Sequence, residues 1–117
     1  MNDARAIGVF DSGVGGLTVA AALKARLPRE RILYLGDTAR LPYGTKSAAT
    51  IARYTKANID FLAGRDVKAI VVACNTASAL ALDRIESDRP VWGVIEPGAR
   101  RAAEQSRGRV GVIGTEA

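Results

Sequence analysis

Ala69-Ile70-Val71-Val72-Ala73-Cys74-Asn75-Thr76-Ala77 is the stretch from which the fold is read. Its first five residues are apolar and rich in β-branched side chains, which suits a strand buried on both faces of a parallel sheet. Ala77 to Ser87 then reads as a helix, so Cys74, Asn75 and Thr76 fall in the turn at its amino end. Free backbone N–H groups and the helix dipole make such a turn a place where a thiolate or a bound carboxylate is stabilised. Two roles for Cys74 follow from this context: a reactive thiol, or a small buried hydrophobe.

The same grammar repeats along the chain. Ala6–Phe10, Ile32–Leu35, Val91–Ile95 and Val110–Ile113 are apolar strand candidates, followed respectively by Asp11-Ser12, Gly36-Asp37-Thr38, Glu96 (from the strand end at Ile95) and Gly114-Thr115. Helical patterns over Leu17–Leu27, Ser47–Ala63, Ala77–Ser87 and Pro97–Gln105 separate the five strands. In the second helix, Ile51, Tyr54, Thr55, Ile59 and Leu62 share one face, leaving Arg53, Lys56 and Asp60 for solvent. The resulting βαβαβαβαβ order, with short connections and right-handed crossovers, predicts a doubly wound α/β fold: a mostly parallel sheet with flanking helices. Ligands bind such sheets at the carboxyl ends of the strands, where these polar residues gather. The connection Gly36 to Lys46 is longer than a usual βα turn, and long loops at that edge often carry function.

Composition narrows the choices. The chain has 117 residues, 48% of them hydrophobic, enough for one small domain or part of a larger protein. Seventeen basic against 12 acidic residues give a net charge of +5, but the arginines lack interleaved aromatics or a nucleic-acid motif, so a solvated surface is expected. A single cysteine excludes an internal disulfide, and no histidine is present, so N/S metal sites and histidine catalysis are not expected within these residues. No apolar leader or membrane-length stretch is seen, and a cytoplasmic location is expected. The sequence stops at Glu116-Ala117, directly after a strand candidate, where the pattern calls for another helix; the front part of a longer protein is expected.

Asp11-Ser12-Gly13-Val14-Gly15-Gly16-Leu17-Thr18 joins the first strand to the first helix. The dinucleotide fingerprint fails because Thr18 stands where its third glycine belongs, and the Walker pattern fails for want of Gly-Lys-Ser/Thr. A small carboxylate suits the loop better; a plain tight turn is the other reading. Asp11 is either a tuning charge beside an acid or base or a helix cap. Pro42-Tyr43-Gly44, Asn75 and Thr76 likewise have turn and capping readings.

Taken together, Phe10-Asp11-Ser12-Gly13-Val14-Gly15-Gly16-Leu17-Thr18, Gly36-Asp37-Thr38-Ala39-Arg40 with Pro42-Tyr43-Gly44, Ala73-Cys74-Asn75-Thr76-Ala77-Ser78, Gly93-Val94-Ile95-Glu96-Pro97-Gly98 and Ile113-Gly114-Thr115 closely resemble the glutamate racemases. The resemblance implies a cofactor-independent enzyme that interconverts L- and D-glutamate and supplies D-glutamate for peptidoglycan, working as a homodimer at full length. It implies that Cys74 is one of two catalytic cysteines and Asp11 the carboxylate assisting it. Ser12, Pro42, Tyr43, Gly44, Asn75 and Thr76 match substrate-holding positions, as does Thr115, and Glu96 lies at the crossing between domains. By the same resemblance, residues 1–96 form the first α/β domain and 97–117 open a second. Inversion needs a proton removed on one face and delivered on the other, and this chain has one cysteine. The expectation is therefore half a catalytic apparatus, inactive alone. A non-catalytic module that holds a small carboxylate is the alternative, and a basic nucleic-acid-binding protein a more distant one.

Overall fold

The first strand, β1 (Ala6–Asp11), is buried along its whole length, as a central strand covered on both faces must be. A computed structural model describes residues 3–116. β1 is followed by α1 (Leu17–Arg26), β2 (Ile32–Gly36), α2 (Ala48–Ala63), β3 (Val67–Val72), α3 (Asn75–Leu80), β4 (Val91–Trp92) and α4 (Ile95–Gln105). Short 3-10 turns cover Thr38–Arg40, Tyr43–Thr45 and Leu82–Arg84. The strands lie in the order β2-β1-β3-β4. All pairings are parallel: Val9 opposes Tyr34 on one side and Val71 on the other, and Ile70 opposes Val91.

The chain thus leaves β1 towards β2, then crosses back over β1 to β3. That reversal puts a switch point between the carboxyl ends of β1 and β3, where an open α/β sheet forms its ligand crevice. Asp11 and Cys74 stand at those two ends.

Alternation along β1 assigns the faces. The space at Gly8 is bounded by Leu62 of α2, and Phe10 joins Ile51, Ile59, Leu62, Ile70 and Val72 in one buried cluster with Ala77 of α3. α2 buries Ile51, Thr55, Ile59 and Leu62 of the stripe expected of it, with Asn58 added, and leaves Tyr54 only partly buried. Ser47 caps this helix by accepting from the Thr50 N–H at 3.2 Å. The opposite face of the sheet is barer. No residue of α1 is buried, and its Leu23, with Leu27 just beyond it, edges an open groove of about 1170 Å³ floored by Ile7 and Val71 and bounded by Trp92 and Ile95.

Three sequence expectations are corrected. The fourth strand ends at Trp92 instead of Ile95, because Ser78 Oγ donates to the Val72 carbonyl at 3.0 Å and accepts from the Val94 N–H at 3.2 Å, occupying the groups the next ladder bonds would need. Ile95 opens α4. The helix expected over Ala77–Ser87 stops at Leu80, and fully buried Ala81 turns the chain into a 3-10 turn. Val110–Ile113 forms no strand: no described strand edge pairs with it, and Val112 and Ile113 stand fully in solvent at 87% and 103% relative exposure. The described sheet therefore has four strands, all parallel, rather than five.

Candidate functional site

β1 ends at Asp11, whose buried carboxylate turns back onto the loop it begins. Oδ2 accepts from the Gly13 N–H at 3.1 Å and the Gly16 N–H at 3.0 Å. Gly16 is the residue before α1, so the charge sits at the amino end of that helix, where the dipole favours it. A Cβ at Gly16 would lie 2.6 Å from Asp11 Cβ and 3.1 Å from Ala73 Cβ. Gly16→Ala is thus expected to cost about 1–3 kcal/mol through overpacking, read as a lower denaturation midpoint. Tyr34 of β2 donates its hydroxyl to the Gly13 carbonyl at 2.8 Å and holds the loop from the other side. Burial, then the neighbouring Asp11 and Cys74 charges, push the Tyr34 hydroxyl above its ordinary range.

Across the switch point, Cys74 is the cap residue of α3. Its Sγ accepts from the Ala77 N–H at 3.5 Å and lies 3.7 Å from Ser12 Oγ. The residue is 4% exposed. The next two N–H groups, of Asn75 and Thr76, start the helix and have no intrahelical acceptor by helix geometry. Asp11, Ser12, Cys74, Asn75 and Thr76 therefore come together at one strand-end edge, with a thiol, a carboxylate, a hydroxyl and helix-end donors within a few residues' reach.

The third wall is the long loop after β2. The Leu41–Pro42 peptide is cis, Pro42 is exposed, and the Pro42 carbonyl accepts from Lys46 Nζ at 3.2 Å. Tyr43 is 2% exposed, so its ring belongs to the core, against Phe10 and Tyr54. Its hydroxyl donates to Asp37 Oδ2 and accepts from Asn58 Nδ2 at 3.0 Å. The Tyr43 side chain is thus committed inward, and what this residue and Gly44 present outward is backbone. Burial first, and the bond to Asp37 second, push the Tyr43 hydroxyl well above the ordinary tyrosine range. A raised folded-state value means the stabilisation is complete below about pH 10 and is lost as the pH climbs beyond it. In an alkaline absorbance titration, Tyr43 is expected to ionise only together with unfolding.

Exposed Thr115 reaches this loop as well: a Cβ on Gly44 would lie 3.0 Å from the Thr115 methyl. Glu96 stands apart from the site, in the first turn of α4, paired with Arg100 at 2.9 Å on the surface. Asn58, absent from the sequence reading, is the polar residue that the loop closes upon; its signal was an amide set on the apolar stripe of α2 between Thr55 and Leu62. Among the described residues no group of three or more His, Cys, Asp or Glu side chains is placed to hold a metal, and no helix is long and apolar enough to cross a membrane.

Known proteins resemble this chain in sequence and fold. The chain is 61% identical over 115 residues to the glutamate racemase of Geobacter metallireducens, covering 96% of this chain and 43% of that protein. It superposes on the glutamate racemase from Aquifex pyrophilus with a TM-score of 0.84 at 56% identity, over 86% of this chain and 41% of that one. The glutamate racemase from Francisella tularensis in complex with D-glutamate matches with a TM-score of 0.80 at 50% identity, over 86% and 39%. The chain thus spans about two-fifths of the length of these relatives. Residues 17–117 match the family described as Asp/Glu/Hydantoin racemase. With a parallel sheet that brings a carboxylate and a thiol to its switch point, and with that match over most of its length, the chain belongs to the Asp/Glu/hydantoin racemase family.

Proposed function

We propose that these residues form part of a glutamate racemase, which exchanges the α-proton of glutamate between two opposed acid/base groups and so interconverts its enantiomers. The observation that carries the reading is the placement of Cys74 across the β1/β3 crevice from Asp11 and Ser12, in a chain with close glutamate racemase relatives. On this reading the Cys74 thiolate takes the α-proton on one face, with Ser12 Oγ and the α3 amino end stabilising its charge. Asp11, fixed by the Gly13 and Gly16 N–H groups, orients that proton transfer. The substrate carboxylates are held by backbone donors of Tyr43, Gly44, Asn75 and Thr76, with Ser12 and Thr115 beside them and Pro42 shaping the approach.

One cysteine serves one face of the α-carbon. The group for the other face is contributed from outside these residues, and the 117 residues alone are expected to be inactive in racemisation. Residues up to Glu96 make the first domain and 97–117 open the second. The absence of any buried residue in α4 and the unpaired course of 106–116 support that division. The reading extends to a cytoplasmic homodimer supplying D-glutamate for peptidoglycan.

The test is conversion of L-glutamate to D-glutamate, and the reverse, by the full-length protein with no cofactor added. Conversion in both directions supports the reading. Turnover of aspartate alone, or a requirement for pyridoxal phosphate, contradicts it.

A further inference from the structure

Asn58 lies in the middle of α2, 8% exposed, on a helix face otherwise given to the core. A buried amide is retained only where its hydrogen bonds are made, and here every bond leads to one loop or its support. Nδ2 has two hydrogens for three acceptors in reach: the Tyr54 carbonyl at 2.8 Å takes one, and Asp37 Oδ2 and the Tyr43 hydroxyl, each at 3.0 Å, share the other. Tyr43 in turn donates to the same Asp37 oxygen. Asp37 opens the loop and Tyr43 sits near its far end, so the three side chains close it like a clasp against α2. Arg40, between them, adds its guanidinium 3.7 Å from Asp37 and 4.6 Å from the Tyr54 ring centre.

We infer that Asn58 is a positioning residue for the reaction: by holding Asp37 and Tyr43 together it fixes the backbone donors of Tyr43 and Gly44 that receive the substrate. This rests on the glutamate reading of the same site. Asn58 meets the loop from its α2 side, through Asp37 and Tyr43, and takes no part in proton transfer. Its loss therefore weakens the hold on glutamate and spares the chemical step, and the effect acts equally on both enantiomers.

The experiment compares full-length wild type, Asn58→Leu, Tyr43→Phe and the double variant. Leucine keeps the branching and heavy-atom count of asparagine, in a bulkier form and without its donors, and Tyr43→Phe cuts the same clasp from the loop side while leaving α2 unchanged. Two readings are taken. Kinetics with L- and D-glutamate is expected to give KM raised about tenfold by either change with kcat within about twofold, and the double variant no worse than the stronger single one, since both cut one network. Amide exchange by NMR is expected to show the Arg40 and Lys46 N–H groups, which bond to the Asp37 and Tyr43 carbonyls, exchanging about tenfold faster, with β1 and β3 amides unchanged. If KM holds at its wild-type value in Asn58→Leu and Tyr43→Phe while only the melting temperature falls, Asn58 is a structural residue and the inference is overturned. Wild type with no action on glutamate sinks the functional reading instead. The exchange measurement then judges the clasp, and unchanged Arg40 and Lys46 amides refute it.

Discussion

Replacing Cys74 with alanine in the full-length protein is expected to lower kcat for racemisation by about 10²–10⁴-fold, the range a positioned acid or base contributes. Stability should barely follow. Cys74 is buried in the apolar cluster, but its sulfur makes only two hydrogen bonds, both long, 3.5 Å to the Ala77 N–H and 3.7 Å to Ser12, and alanine leaves only a small void. A shift of a few degrees in Tm is the expected cost, corresponding to about 1 kcal/mol. The opposite pattern, retained turnover with a collapsed melting temperature, would make Cys74 the small buried hydrophobe that its setting also allowed.

The second large effect concerns Asp11, for which capping and tuning roles make different predictions. Asp11→Ala removes the acceptor of two buried backbone N–H groups and is expected to destabilise by about 2–4 kcal/mol, from two bonds to a charged group. Asp11→Asn keeps an oxygen that both N–H groups can reach and loses only the charge, so it should cost about 1 kcal/mol or less. If the charge also serves the thiol, Asp11→Asn still lowers kcat by about 10²-fold with KM little changed. Denaturation curves and kinetics on the two variants separate the roles. Full activity in Asp11→Asn assigns Asp11 to capping alone.

The elements legible in the sequence are those in which local pattern and tertiary burial agree. Ala6–Phe10 of β1 and Ala69–Val72 of β3 are apolar runs because these are the inner strands, and α2 shows its stripe because one face lies on the sheet. That Cys74, Asp11 and Ser12 would be neighbours was legible because strand ends in a parallel sheet must lie along one edge. What sequence could not give was decided by distant partners. Ser78, sixteen positions away, diverts Val94 from the ladder, so an apolar run that reads as a strand becomes the start of α4. Val110–Ile113 has strand chemistry but finds no edge among the described residues. Tyr43 read as a turn residue or a substrate-holding position, with no sign of where its side chain goes; its ring is core and its hydroxyl is held by Asp37 and Asn58, and an inward tyrosine and an outward one share the same local sequence.

Whether Cys74 takes the glutamate α-proton is tested directly by proton NMR of L- and D-glutamate in deuterated water with the full-length protein. Wild type should wash out the α-proton of both enantiomers, while folded Cys74→Ala should lose exchange with at least the enantiomer whose α-proton faces that sulfur. Exchange of both enantiomers at wild-type rates by folded Cys74→Ala would contradict the account.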